Sequence, residues 1–157
     1  MIRIKPELLR VRFEVNMTAK EYLTQLRKLM LKTKSRVAQC ETIRDHLVFL
    51  QGIDYSKDKV QTSAADQLSE TMATLLDLEQ ETVELIYEYN RMYHEALNRI
   101  DGLSKWEYVK ILKLRYLSEK PSDRKFEHIA CELDRSYVRT CHMHGEALQE
   151  FEKKYLK

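Results

Sequence analysis

The sequence predicts an all-α protein: a long antiparallel, coiled-coil-like helical hairpin followed by a three-helix domain of helix-turn-helix type. Three observations carry that reading. The 157 residues include only three glycines and two prolines, so helix breakers are scarce. Two stretches of roughly 33 and 36 residues repeat apolar side chains at steps of three, four or seven. A third stretch, Phe126 to Leu148, reads as two helices meeting at a sharp corner.

Residues 1–16 form an N-terminal arm. Leu9-Arg10-Val11-Arg12-Phe13-Glu14-Val15 alternates apolar and charged side chains, the period of a short β-strand. One strand is unstable alone. It either joins a sheet of another subunit or partner, or it is a disordered or weakly docked arm. Both alternatives stand.

Residues 17–102 form the helical hairpin. Thr18 with Glu21 three positions later is a capping box that opens the first helix. Leu23, Leu26, Met30, Val37, Cys40, Leu47 and Leu50 make its apolar stripe, and Gly52 stops it. Asp54 to Thr62 is a polar connector. The second helix starts near Ser63, with Asp66 at N3, and ends at Asp101-Gly102. Its candidates for burial are Leu68, Met72, Leu75, Val83, Ile86, Tyr93, Leu97 and Ile100. At ~50 and ~54 Å the helices match in length and should fold back antiparallel.

Charge supports that pairing. Residues 1–53 carry a net +6, residues 54–103 a net −7 and residues 104–157 a net +3. Single exposed ion pairs are weak, but the pattern opposes like-with-like pairing and selects register. Closure within one subunit and closure across a dimer both satisfy it; a homodimer is the expected assembly.

Residues 103–157 form the third region. Ser104-Lys105-Trp106-Glu107 reads as a second capping box, opening a helix whose Trp106, Val109, Leu112 and Tyr116 pack on the helix-turn-helix. Glu119 to Arg124, with Pro121, is a loop. Ile129, Ala130 and Leu133 face inward on the fourth helix, and Ala130 is small where helices cross closely. Asp134-Arg135-Ser136 breaks the pattern, and Ser136 is a good N-cap for a fifth helix reaching about Tyr155. That helix turns Thr140, Met143, Ala147 and Leu148 inward. Tyr137, Val138, Arg139, Cys141, His142 and Glu146 are left outside, where a recognition helix meets the major groove of double-stranded DNA. The candidate DNA contacts are therefore Ser136, Tyr137, Val138, Arg139, Cys141 and His142. Arg135, Arg139, Lys153 and Lys154 can reach phosphates, with Arg124 and Lys125 at the start of the fourth helix.

Other classes find little footing. No run of ~18 apolar residues exists, so no membrane span is expected, and the N-terminus lacks the apolar core of a signal peptide. Cys40, Cys131 and Cys141 are odd in number and lack framework spacing, which suits a reducing cytoplasm. There is no Gly-rich phosphate loop, nucleophile elbow or carboxylate cluster at metal spacing, so no enzyme and no cofactor are expected. Asp77, Glu79, Glu81, Glu84 and Glu88 read as a solvated face. His128 with Cys131 and Cys141 with His144 have i,i+3 spacing, but neither pair sits on a knuckle or loop, and no metal is expected. Tyr87, Tyr89 and Tyr93 read as core and rim rather than as a base-stacking ladder.

The segment Lys110-Ile-Leu-Lys-Leu-Arg-Tyr-Leu117, then Glu127-His-Ile-Ala-Cys-Glu-Leu133 and a capped helix ending Ala147-Leu148, resembles region 4 of sigma factors. From Met17 onward the chain also resembles a family of small phage and prophage proteins of Gram-positive bacteria. They begin near Met-Thr-Ala-Lys-Glu-Tyr-Leu and end Ala-Leu-Gln-Glu-Phe-Glu-Lys, as this chain does at Ala147 to Lys153. The resemblance covers roughly nine tenths of the chain and implies a phage-encoded regulator of late or packaging-related transcription. Such a protein would act in the bacterial cytoplasm on promoter DNA, with host RNA polymerase as a further partner. The chain departs from the pattern in four places. Asp134 stands where the turn has Gly, Thr140 replaces a buried Val or Ile, and the loop before Phe126 is longer. His142 sits where an Arg is expected, leaving Arg139 as the strong base reader. The alternative reading, of a different class, is a protein-interaction module gripping a host or phage protein through the hairpin and the N-terminal strand.

Overall fold

The computed structural model describes residues 17–51 and 61–156, and these are helical apart from short turns; no strand occurs among them. The alternating segment Leu9–Val15, the stop at Gly52, the connector from Asp54 to residue 60 and the side chain of Leu50 lie outside the described residues. Five α-helices follow in order: α1 Ala19–Gln51, α2 Gln61–Asp101, α3 Trp106–Leu112, α4 Phe126–Leu133 and α5 Tyr137–Tyr155. The second helix thus begins slightly before the expected Ser63. No helix among the described residues is long and apolar enough to cross a membrane.

The expected capping box opens α1. The Thr18 amide and hydroxyl donate to Glu21 Oε2 at 2.9 and 2.8 Å, and the Glu21 amide donates back to Thr18 Oγ1 at 3.3 Å. These donors favour the charged form and hold the Glu21 carboxyl below its ordinary range.

The chain divides into two compact units: residues 29–89 form one, and the described residues 17–28 and 90–156 belong to the other. In the first, burial follows a heptad. Thr33, Cys40 and Leu47 recur every seventh residue on α1, and Leu75 and Thr82 do so on α2. Cys40, Leu47 and Leu75 form the core, with Ile43, Leu68 and Leu78 packed against it. Cys40 Sγ lies 3.5 Å from Thr82 Oγ1, and one turn further along α1 Arg44 pairs with Glu79. Partners descend α2 as α1 is climbed, so these segments run antiparallel. Met72 and Val83, expected inside, are about half exposed. They fall off the seven-residue seam, and a two-helix contact covers only a narrow stripe.

In the second unit α5 packs on both α3 and α4. Its core includes Tyr22, Met92, Ile100, Ile111, Leu112, Ile129, Thr140, Ala147 and Phe151, all 2% exposed or less. Tyr22 and Phe151 lie 5.8 Å apart, and the Arg99 guanidinium sits over both Tyr22 and Tyr155. Burial, and secondarily Glu95, pushes the Tyr22 phenol up to about 12. Gly102 lets Tyr155 approach closely: a Cβ there would meet the Tyr155 hydroxyl, which would have to move aside.

Three expectations for this unit are corrected. Ser104 does not cap α3: its amide and hydroxyl both donate to the Glu150 carboxylate at 2.7 Å, and Lys105 becomes the N-cap residue without a side-chain cap. Trp106 is 61% exposed, because α3 buries Tyr108, Ile111 and Leu112 and Trp106 starts on the opposite side. The third helix does not run regularly to Tyr116. It loosens into a π-turn over Lys113–Leu117, with the Ser118 amide bonded to the Lys113 carbonyl at 3.0 Å. On α5, Thr140, Met143 and Ala147 are buried as expected; Leu148 is only half-buried and Phe151, a turn later, fills the core.

Candidate nucleic-acid interface

The corner between α4 and α5 is held by local bonds. Asp134 ends α4 in the left-handed conformation, φ 52° and ψ 50°, the one positive φ among the described non-glycine residues. Aspartate tolerates that region better than most side chains. The Asp134 and Arg135 amides close back on the Cys131 and Ala130 carbonyls at 3.2 and 3.0 Å. Ser136 returns to extended backbone, and its hydroxyl oxygen accepts the Arg139 amide at 3.2 Å, the expected N-cap. Thr140 is fully buried, and its hydroxyl donates to the Ser136 carbonyl at 3.0 Å, so its polarity is satisfied where an aliphatic side chain would pack.

Outside this corner Tyr137, Val138, Arg139 and His142 are exposed, as expected. Two members of the expected outer face are not free. Cys141 is half-buried, and its hydrogen bond to Tyr137 raises that phenol above its ordinary value. Glu146 is half-buried and accepts the Tyr108 hydroxyl at 2.5 Å, while Lys105 Nζ donates to the same Tyr108 oxygen at 3.0 Å. The Tyr108 bond, with Arg139 and Lys105 nearby, holds the Glu146 carboxyl low. Arg139 Nη1 reaches Glu146 at 3.5 Å. Arg135 lies 4.0 Å from Glu107.

The remaining predicted contacts separate into two groups. Lys153 and Lys154 are about 24 Å along α5 from Tyr137, and Lys154 donates to the Gly102 carbonyl. They do not join the N-terminal face of α5. Arg124 and Lys125 do come close to it: Phe126, next in sequence, meets the Tyr137 ring edge-on at 6.3 Å. Phe126 also carries the Arg115 guanidinium, 4.7 Å from the ring centre.

That contact opens onto a cleft of about 390 Å³ that the sequence did not reveal, lined by Lys20, Thr24, Arg27, Arg115, Arg124 and Lys125. Lys20, Thr24 and Arg27 share one face of α1 at i, i+4 and i+7, the sequence signal that could have been used. The neighbouring His144 ring stacks on Tyr116 and its Nε2 lies 3.1 Å from the Tyr116 hydroxyl. Burial, then the Arg115 and Lys20 charges, push His144 down to about 4.

No group of three or more His, Cys, Asp or Glu side chains is gathered at metal-binding distance among the described residues. Of the two i,i+3 pairs, Cys131 is exposed and His144 hydrogen-bonds Tyr116. Compared with protein-family models, with curated proteins and with solved structures, the chain shows no significant match to any.

Proposed function

We propose that this chain is a DNA-binding transcription regulator of phage or prophage origin, in which α4, the Asp134–Ser136 turn and α5 act as a helix-turn-helix of sigma region 4 type. One observation carries the reading: α5 is capped and anchored on its inner side while Tyr137, Val138, Arg139 and His142 face solvent at its N-terminal end. That is the end of a recognition helix that contacts base edges. Arg139 is the base reader. Its present partner Glu146 is only half-buried and 3.5 Å away, and ion pairs this open to solvent are weak; a bidentate arginine–guanine contact is worth about 1–3 kcal/mol of discrimination against a wrong base. Exchange of one for the other is favourable. The long helices then form an antiparallel hairpin that dimerises or docks on host RNA polymerase.

A second reading is favoured by a specific feature. Met72, Leu76, Val83 and Tyr87 are each about half exposed or more and fall within one face of α2, off its buried seam. In this reading the stripe is the working surface and grips a protein partner.

Binding to a native upstream duplex and to pooled random duplexes, at two salt concentrations and with Arg139→Ala alongside, separates the two. The DNA reading expects affinity that falls steeply with salt, prefers the native sequence and drops roughly tenfold in the variant. Absence of binding at low salt sinks it. In that case Leu76→Glu should abolish self-association or partner capture.

A further inference from the structure

We infer that the cleft lined by Lys20, Thr24, Arg27, Arg115, Arg124 and Lys125 is a phosphate-binding site that takes a backbone phosphate of nucleic acid. The assignment to nucleic acid rather than a free phosphate rests on the DNA reading of α5.

The first argument is charge without compensation. Five cations line one cleft, and no carboxylate pairs with any of them among the described residues. Elsewhere Arg36, Arg44, Arg99, Lys110, Lys113, Arg135 and Arg139 each have a carboxylate within 4.0 Å, while others, such as Lys32, Arg91 and Lys153, have none among the described residues; what sets the cleft apart is that five such cations share it. Gathering like charges opposes folding unless a counter-charge enters. Arg27 feels this directly: burial first, then Arg124 and Arg115, lower its proton affinity.

The second argument is donor geometry. Arginine presents a planar fork suited to phosphate, and Arg115 is fixed in place by the Phe126 ring and the Arg124 carbonyl. The hydroxyls of Thr33, Thr42, Thr71, Thr74, Thr82 and Thr140 each return to a carbonyl four residues back. Thr24 has no such bond among the described residues and faces the cleft. Lys125 is the N-cap residue of α4 and provides no side-chain cap, so the first-turn amides are left for another acceptor.

The third argument is position. The cleft reaches Tyr137 on the exposed α5 face through a single ring, Phe126. A duplex seated on α5 can therefore present a phosphate to the cleft, and α1 joins the footprint.

The test uses the full chain, a labelled duplex of the native upstream region, and inorganic phosphate followed by NMR at constant ionic strength. The variants are Lys20→Gln, Arg27→Gln and Arg139→Ala. Lys20 is exposed, so its variant keeps the fold even where Arg27→Gln does not. The expected result is duplex binding roughly three- to tenfold weaker in both α1 variants, alike for all sequences, with the salt slope lowered by about one. Phosphate should shift the amides of Lys20, Thr24 and Phe126 and raise the His144 titration midpoint. Native-like duplex and phosphate binding in both α1 variants, with loss in Arg139→Ala, overturns the cleft and leaves the DNA reading intact. Phosphate binding that is lost in the α1 variants, in a chain that ignores the duplex, keeps the phosphate site and overturns the DNA reading. A native chain that responds to neither probe overturns both.

Discussion

The two units use charge and core in opposite ways. In residues 29–89 the arginines of α1 are met by glutamates of α2, Arg36 by Glu81 and Arg44 by Glu79, and the core is a thin seam that includes Thr33, Cys40 and Thr82. Charge there selects which faces meet. In the unit of α3, α4 and α5 the core is larger, with aliphatic side chains around the fully buried Tyr22 and Phe151, and a group of cations stands unpaired around one cleft. A thin seam with matched charges is a pairing surface. A dense core can hold unmatched charges in place against their own repulsion, and this is what a site for an anion requires.

The largest effect expected from that difference is in the cores. Phe151→Ala removes a fully buried ring that packs on Tyr22 and should cost about 3–5 kcal/mol, whereas Leu75→Ala in the seam should cost about 2 kcal/mol. Urea denaturation of the two variants measures both. A larger loss for Leu75→Ala would reverse the comparison and make the helical pair the stability core.

Acid should also act unequally. The His144 midpoint in the folded chain, about 4, lies below the ordinary histidine value near 6.5. Above that ordinary value both folded and unfolded states hold the ring neutral, and the full contribution is present. As pH falls from about 6.5 toward 4 the unfolded chain takes up a proton that the folded ring refuses, and stability is lost. The ring is partly exposed, so the loss is about 1–2 kcal/mol once solvent screening is allowed for. Urea midpoints between pH 7.5 and 4 should fall less in His144→Phe than in the native chain. Equal slopes would mean that neither burial nor the Arg115 and Lys20 charges shift the ring.

Much of this was legible in short-range patterns. The Thr18–Glu21 box, the Ser136 cap and the inward set Thr140, Met143 and Ala147 depend on residues within a turn or two of each other, and they stand where the sequence placed them. What was missed depends on distant partners. Ser104 is claimed by Glu150, far along the chain, and not by Glu107 within reach of a local cap. Apolar periodicity on α2 offered more candidates than a two-helix seam can cover, so Met72 and Val83 stayed outside. The cleft is the clearest case. Lys20 and Arg27 carry no motif, Arg115 reads as part of a helix end, and only tertiary packing with a π-turn brings them to Arg124 and Lys125.

The smallest effect concerns the turn that aims α5. Asp134 holds a left-handed backbone that costs a residue with a Cβ about 1 kcal/mol relative to glycine. Among the described residues it accepts a bond at its backbone carbonyl, from Arg135 at 3.4 Å, and glycine would keep that carbonyl. Glycine also gains entropy in the unfolded chain, which opposes the relief. Asp134→Gly should therefore stabilise the chain by only about 0.5 kcal/mol, detectable as a small rise in urea midpoint. It also removes a negative charge from the start of the face that would meet DNA, so duplex affinity should rise modestly, most at low salt. If stability rises while duplex binding is unchanged at every salt concentration, the turn is only a structural corner and the DNA-facing surface begins further along α5.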